Sequence, residues 1–115
     1  MSNFKKQFSI KERIRDCTII RQKYPDRIPI IVEPYSDNIQ MIDKKKFLVP
    51  NEITIGQFLY IIRKRIKMSE SKALFLYINS TIPHTNALIS TVYEKEKETD
   101  GFLYITYNGE NTFGS

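Results

Sequence analysis

A chain of 115 residues, 41% hydrophobic and 27% charged, is long enough for one globular domain with a single modest core. Its longest apolar runs, such as residues 28–32, are too short to cross a bilayer, and its first six residues contain no apolar signal region. One cysteine cannot form an internal disulfide. Composition therefore predicts a soluble protein of the reducing cytosol.

The net charge of +5 is concentrated near the amino terminus. Residues 1–27 hold eight lysines and arginines against three acids, whereas residues 28–115 hold ten of each. A basic segment of this kind could contact an anionic membrane, an acidic protein surface or nucleic acid. Because no nucleic-acid-binding motif accompanies it, nucleic acid is not expected among the partners.

Two helical segments are predicted at the start of the chain. Residues 4–8 could form a helical turn, and Ser9 and Glu12 have the spacing of a capping box that begins a longer helix. That helix should end just before Pro25. Ile20 is expected to lie beside its apolar stripe and to be less buried. The stripe itself consists of Ile10, Ile14, Cys17, Arg21 and Tyr24.

Two strands should follow the helical segments. Residues 28–33 form the first, in which Pro29 is expected to break or bulge the pairing because it has no N–H to donate. Residues 34–43 are predicted to form a polar loop. The strand after this loop, within residues 43–50, carries apolar side chains on both faces, because Leu48 faces opposite to its two apolar neighbours.

The central helix has the clearest pattern in the sequence. Thr54 and Gln57 form a second capping box at its start. Ile61 and Arg65 fall outside its apolar stripe, one turn apart, which indicates either a partner site or a stray exposed isoleucine. The stripe consists of Ile55, Phe58, Leu59, Ile62 and Ile66.

The remaining elements are shorter. Residues 73–78 alternate as a strand, and Asn79 and Ser80 predict a turn after it. A short helix should include residues 88–93, and a last strand should include residues 101–107. The predicted order matches the ubiquitin-like β-grasp, an α+β fold, here with a four-stranded mixed sheet.

The end of the chain has two possible interpretations. The last three residues are Phe113, Gly114 and Ser115. A penultimate glycine could be chance. Alternatively, its carboxylate is meant to be freed and joined to another molecule, because glycine has no Cβ and fits a narrow enzyme channel.

Five stretches of the chain stand out: KYPDRIPIIVE (23–33), DKKKFLVP (43–50), TIGQF (54–58), IRKRI (62–66), and GFLYITY to ENTFG (101–114). In this order they resemble one family, the autophagy ubiquitin-like modifiers that include GABA-A-receptor-associated protein and microtubule-associated protein light chain. The fit is loosest in residues 1–19, the loop at residues 34–42 looks shorter or altered, and Pro83-His84 replaces a frequent Pro-Pro.

The resemblance implies a conjugation pathway. A cysteine protease would remove Ser115. An activating enzyme and a conjugating enzyme would then transfer the Gly114 carboxyl to phosphatidylethanolamine, whose two acyl chains would anchor the protein firmly to a membrane. The chain would then be organised as a helical extension (1–24), a ubiquitin-like core (25–107) and a flexible conjugation tail (108–115). We expect a monomer in the cytoplasm that is bound to the autophagosome membrane when lipidated.

The resemblance also implies a groove for receptor peptides that carry an aromatic and an aliphatic residue three apart, preceded by acids. The edge of the strand at residues 46–49 would accept the peptide as an added strand. Asp16, Ile20, Pro29, Ile31, Lys46, Leu48 and Phe102 would line an aromatic pocket. Phe47, Val49, Pro50, Phe58 and Ile61 would line an aliphatic pocket. The acids would meet Arg27, Lys44, Lys46 and Arg65.

Other functions are weighed against this one. The family uses two outward aromatics, here Phe75 and Tyr77, for protease or membrane contact, although they could instead pack as a second buried face. No catalytic residue, metal or cofactor is expected, because His84 has no Cys/His cluster near it and Cys17 is predicted to be a packing residue. A ubiquitin-like adaptor that is not conjugated remains the alternative, and an enzyme is the least favoured.

Overall fold

The computed structural model describes residues 2–36, 39, 41–69 and 71–109. Within them the chain forms four helices and four strands. In chain order these are α1 (Asn3–Gln7), α2 (Ile10–Lys23), β1 (Arg27–Pro34), β2 (Lys46–Pro50), α3 (Ile55–Arg65), β3 (Phe75–Tyr77), α4 (Ile89–Glu96) and β4 (Leu103–Asn108). None of these helices has the length and apolar content needed to cross a membrane.

The four strands form one mixed sheet in the order β2-β1-β4-β3. β1 is antiparallel to β2 and parallel to β4, and β3 is antiparallel to β4. β1 and β4 therefore form the centre of the sheet, while β2 and β3 form its edges. This is the predicted ubiquitin-like α+β architecture, and the prediction is confirmed.

One face of the sheet is covered by α3, as the sequence predicts. The capping box at Thr54 is formed, with its hydroxyl accepting from the Gln57 N–H. Four residues of the predicted stripe are buried and Leu59 is partly buried, while Ile61 lies off the core with 37% of its surface exposed. The four buried residues are Ile55, Phe58, Ile62 and Ile66.

The other face of the sheet is covered by α1 and α2, but the predicted stripe of α2 is wrong. Ile10 and Ile14 are each 43% exposed, whereas Ile20, expected to be less buried, belongs to the core together with Cys17. The inner face of α2 is therefore turned away from the predicted one. This orientation places Arg13, on the inner side of α2, 2.7 Å from Asp100, a residue distant in sequence.

Asp100 is a buried charge with a complete set of partners. Only 2% of its surface is exposed. Its carboxylate accepts from Arg13 Nη1 at 2.7 Å, from the Tyr104 hydroxyl at 2.5 Å and from the Phe102 N–H at 2.9 Å. A buried carboxylate without such partners would be strongly unfavourable. Burial raises the pKa of the Tyr104 hydroxyl, and the hydrogen bond to Asp100 raises it further.

The pairing of β1 with β2 corrects the expectation of a bulge at Pro29. The register is continuous, with Pro29 opposite Leu48. The Val32 N–H donates to the Lys45 carbonyl at 2.8 Å. In an antiparallel ladder, hydrogen-bonded and non-hydrogen-bonded pairs alternate, so Pro29 and Leu48 form a non-hydrogen-bonded pair. A residue without an N–H fits there, and the strand needs no bulge.

One predicted loop is more buried than its polar sequence indicates, and one predicted turn is confirmed. Residues 34–43 were predicted to be a polar loop, but Pro34 continues β1 and Ile42 is buried in the core below α3, with Ile39 packed against it. The turn at Asn79 and Ser80 is confirmed, and both residues have positive φ angles of 50° and 64°. Asparagine tolerates this conformation better than serine does.

Gly101 is required by its position between α2 and the sheet. Its φ angle is +94°, and a Cβ there would lie 2.7 Å from Cys17 Sγ. We expect Gly101→Ala to lower the free energy of unfolding by at least about 2 kcal/mol, from backbone strain and overpacking. Urea denaturation would measure the loss. Gly109→Ala is the control, because its Cβ would meet only ordinary contacts at 3.7 Å. Equal midpoints for the two variants would contradict this prediction.

Cys17 makes stability depend on pH in the alkaline range. Burial, followed by the charge of Asp100, raises the pKa of its thiol from 9.0 to about 11. The unfolded thiol ionises first, so stability is full below about pH 9 and falls as pH rises towards 11. Cys17→Ala removes this contribution. The variant should therefore lose less stability than the parent between about pH 8 and 10.5, measured by urea midpoints. Equal losses would exclude the thiol as a cause.

Candidate functional site

The free edge of β2 is the first feature of the candidate site. β2 is an outer strand of the sheet. Because the Pro29–Leu48 pair is not hydrogen-bonded across the ladder, the backbone groups of Leu48 point away from β1. Lys46, two residues before Leu48 and opposite Ile31, is also in a non-hydrogen-bonded pair, so its backbone groups point away from β1 as well. Two residues of β2 thus direct N–H and C=O groups towards the place where an added strand would lie.

The residues predicted for the aromatic pocket are brought together on one face of β2. Ile20, Ile31 and Phe102 belong to one buried cluster, and Leu48 packs against it partly exposed. Pro29 is buried beside Leu48. The floor of this predicted pocket is consequently part of the core between α2 and the sheet.

An ion pair joins α2 to β2 at the same place. Lys46 Nζ lies 2.5 Å from Asp16 Oδ2, and their side chains are 40% and 37% exposed. An ion pair so accessible to water contributes little stability, on the order of 0–1 kcal/mol. It can therefore open at small cost, which leaves Lys46 accessible.

Of the residues predicted for the aliphatic pocket, Phe47 and Val49 lie on the opposite face of β2, below Phe58 and Ile61 of α3, whereas Pro50 ends the strand on the Leu48 face. The rings of Phe47 and Phe58 are in edge-to-face contact, with centroids 5.8 Å apart. Both rings and Val49 are buried in the core below α3. Ile61 and Pro50 are exposed at the rim. This predicted pocket therefore has a buried floor and an accessible rim.

The three other predicted basic residues surround β2, and each has an intramolecular contact. Arg65 Nε donates to Asp43 at 2.9 Å, and Arg27 Nη1 donates to the Leu48 carbonyl at 3.4 Å. Lys44 Nζ lies 5.0 Å from the centroid of the Phe47 ring. The Arg27 contact is long, so a peptide strand that needs the Leu48 carbonyl could displace it.

The two faces of β2 explain the spacing of the expected ligand. Residues three apart in an extended peptide point to opposite faces and lie about 10 Å apart. A peptide added at the edge of β2 would direct one anchor towards Leu48 and the other towards Val49. The predicted pockets lie on these two faces, and the aromatic-x-x-aliphatic pattern fits this arrangement.

The structure contains an open cleft beside Lys46 that the sequence does not predict. Its volume is about 330 Å³. Exposed Ile19 and partly buried Phe8 contribute apolar walls, and Arg15 adds charge. The cleft extends the site from β2 across α1 and α2. Ile19 lies outside the predicted apolar stripe of α2. An isoleucine in that position is the signal in the sequence that could have indicated the cleft.

Phe75 and Tyr77 lie on β3, at the other edge of the sheet. Tyr77 is 2% exposed, and its ring lies 5.8 Å from that of Tyr35, which is about half exposed. Phe75 is only partly buried. In this conformation Phe75 is partly accessible, whereas Tyr77 is packed, so the expectation of an outward-facing aromatic is wrong for Tyr77.

The predicted conjugation tail is described only at its base. Asn108 is the last residue of β4, one position beyond the predicted end of the strand. A Cβ on Gly109 would lie 3.7 Å from atoms of Ala73 and Ile39. Gly114 and Ser115 lie outside the described residues. In the described part of the chain, no group of three or more His, Cys, Asp or Glu residues could hold a metal.

Comparison with known proteins covers almost the whole chain. Residues 12–114 match a family model described as autophagy protein Atg8, ubiquitin like. The chain is 56% identical to autophagy-related protein 8 of Schizosaccharomyces pombe, over 99% of this chain and 95% of that protein. It is 52% identical to autophagy-related protein 8a of Arabidopsis thaliana, over 99% and 94% of the two chains.

Solved structures agree with the sequence matches. The crystal structure of Trypanosoma brucei ATG8 has a TM-score of 0.91 at 42% identity, covering 99% of both chains. Plasmodium falciparum Atg8 in complex with a Plasmodium falciparum Atg3 peptide has a TM-score of 0.88 at 34% identity, covering 96% of this chain and 98% of that one. The family resemblance found in the sequence is thereby confirmed. Because the family model and these relatives extend over nearly all its length, the chain belongs to the Atg8 family of autophagy ubiquitin-like proteins.

Proposed function

We propose that the chain is a modifier that is joined to a lipid and then recruits receptors to the membrane. In this proposal a cysteine protease removes Ser115, and activating and conjugating enzymes transfer the Gly114 carboxyl to the amine of phosphatidylethanolamine. The protein moves from the cytoplasm to the autophagosome membrane and supports its formation and cargo selection. The acyl group comes from this chain, and the catalytic groups come from the partners.

The free edge of β2 is the observation that carries the receptor-binding part. It combines outward backbone groups at Lys46 and Leu48 with apolar side chains on both faces of one strand. A peptide added there would gain main-chain hydrogen bonds and two anchors. The three nearby bases Arg27, Lys44 and Arg65 favour a ligand with acids beside its anchors.

In this proposal the three segments of the chain have different roles. The helical extension (1–24) supplies one wall of the groove through Asp16 and Ile20, and the core (25–107) supplies β2. The predicted tail (108–115) begins at the last residue of β4, so conjugation would occur at a segment separate from the groove residues. Residues 109–114 can extend at most about 20 Å, which limits how far the body lies from the lipid.

A peptide complex of a relative supports the conjugating enzyme as a partner. The solved Plasmodium falciparum Atg8 is bound to an Atg3 peptide. We infer that a conjugating-enzyme segment binds this chain as well, and that the protein acts as a monomer. The alternative is an adaptor that is never conjugated. The two proposals share the groove and differ at Gly114.

Gly114→Ala tests the conjugation proposal directly. The added Cβ should obstruct the narrow channels of the protease and activating enzyme, so processing and lipid attachment should both stop. Intact-mass measurement of the protein from cells, before and after autophagy is induced, would detect the loss of Ser115 and the mass of the lipid. A Gly109→Ala variant is the control and should be processed normally. No lipid on the parent protein would favour the unconjugated adaptor, whereas lipid on the Gly114→Ala variant would exclude Gly114 as the required attachment residue.

Leu48→Ala tests the groove by calorimetric titration with one acidic aromatic-x-x-aliphatic peptide. The parent should bind in the micromolar range, about −8 kcal/mol. Loss of the Leu48 anchor should weaken binding by roughly 1.5–3 kcal/mol. Because Leu48 is only partly buried, the melting curve should change little. Unchanged affinity would place the peptide elsewhere.

Lys46→Ala tests the charged part of the groove with the same peptide. Binding should weaken at low salt, and the difference from the parent should shrink as salt rises, because exposed charges are screened. Lys95→Ala, an exposed lysine on α4, changes the net charge equally. If both variants weaken binding to the same degree, the effect is one of overall charge, and Lys46 has no specific role.

A further inference from the structure

A second cleft lies on the α1 side of the sheet, away from β2. Its volume is about 470 Å³. Two carboxylates, Glu33 and Glu98, and the tyrosines Tyr35, Tyr77 and Tyr104 are among its lining residues. Aromatic rings combined with carboxylates form the usual protein environment for an ammonium group. The chemistry of the cleft therefore indicates a cationic ligand.

The chain already places one ammonium group at this cleft. Lys5 Nζ lies 4.4 Å from the centroid of the Tyr104 ring and forms an ion pair with Glu98. The side chains of Lys5 and Glu98 remain partly accessible to solvent. Lys5 thus demonstrates that a lysine fits between the ring and the carboxylate.

The Tyr104 ring and the Glu98 backbone are held by hydrogen bonds to the fold, whereas the Glu98 carboxylate is partly exposed and pairs with Lys5. The Tyr104 hydroxyl donates to buried Asp100, and the Glu98 N–H donates to the Phe102 carbonyl at 2.9 Å. Lysine has a flexible four-carbon stem, so its head can leave without unfolding α1. The site would then remain formed when Lys5 moves out.

The rest of the cleft is larger than one ammonium group requires. Glu33 accepts from the Ser2 hydroxyl at 2.5 Å and from the Phe4 N–H at 3.0 Å, and Lys45 Nζ, 3.9 Å from its carboxylate, balances part of its negative charge. Tyr35 and Met41 present exposed apolar surface at its wall. These surfaces could cover the residues on either side of an inserted lysine.

We propose that this cleft binds a lysine side chain of a partner protein, and that Lys5 is its intramolecular competitor. The inserted ammonium takes the position of Lys5 between the Tyr104 ring and Glu98. Apolar residues of the partner beside that lysine contact Tyr35 and Met41. The site is separate from the β2 groove and needs no lipid attachment.

Competition by Lys5 gives the proposal a distinctive test. The probe is the peptide acetyl-Ala-Lys-Ala-amide, titrated into isotopically labelled protein and followed by amide NMR shifts. If Lys5 fills the site nine-tenths of the time, Lys5→Gln should tighten binding about tenfold. Glu98→Gln should abolish it, and the norleucine analogue of the peptide, which lacks the ammonium group, should not bind. The shifts should map to residues around Tyr104.

Matched variants separate the site from overall charge. Lys6→Gln changes the same charge one position along α1, at an exposed side chain. Glu94→Gln, at an exposed carboxylate on α4, is the control for Glu98→Gln. Less than about threefold difference between Lys5→Gln and Lys6→Gln would overturn the competition. Shifts that map away from Tyr104, or equal binding of the norleucine peptide, would overturn the site itself.

Discussion

The central strand β1 is buried on both faces, and this constraint shapes the molecule. Ile30 and Val32 face α3, while Ile31 faces α2, and the three side chains have no exposed surface. A strand of this kind needs a cover on each side. α3 provides the first cover. α1 and α2 provide the second, and the Arg13–Asp100 ion pair fixes α2 against the sheet.

The candidate groove at β2 is present because α1 and α2 do not cover the whole of the second face of the sheet. α2 reaches β2 through the accessible Asp16–Lys46 ion pair, while Leu48 stays partly exposed beside it. The buried residues below, such as Phe58, belong to the core and cannot be changed without loss of stability. Exposed residues at the rim, such as Ile61, can vary more freely. Substitutions of the buried residues around β2 are therefore expected to change fold stability, whereas substitutions at its exposed rim are expected to change it less.

Local patterns were sufficient to predict most of the fold. The capping boxes at Ser9 and Thr54, the stripe of α3 and the order of the strands are encoded within short windows. The rotation of α2 could not be predicted, because Arg13 and Asp100 are far apart in sequence. The position of Pro29 in the ladder also depends on a partner strand. The groove itself stays a prediction, and the ion pairs of Lys46 with Asp16 and of Arg65 with Asp43 could not be predicted, because they join residues distant in sequence.

The parallel pairing of β1 with β4 has a consequence for how the chain is made. Ile30 pairs with Leu103, so the centre of the sheet cannot form until the last strand has been synthesised. Before then, β1 has only β2 as a neighbour, and its other edge and much of its apolar surface are exposed to solvent and to other chains. Contacts so distant in sequence also slow folding. Until β4 has been synthesised, the chain is therefore an incompletely paired intermediate that is prone to aggregation.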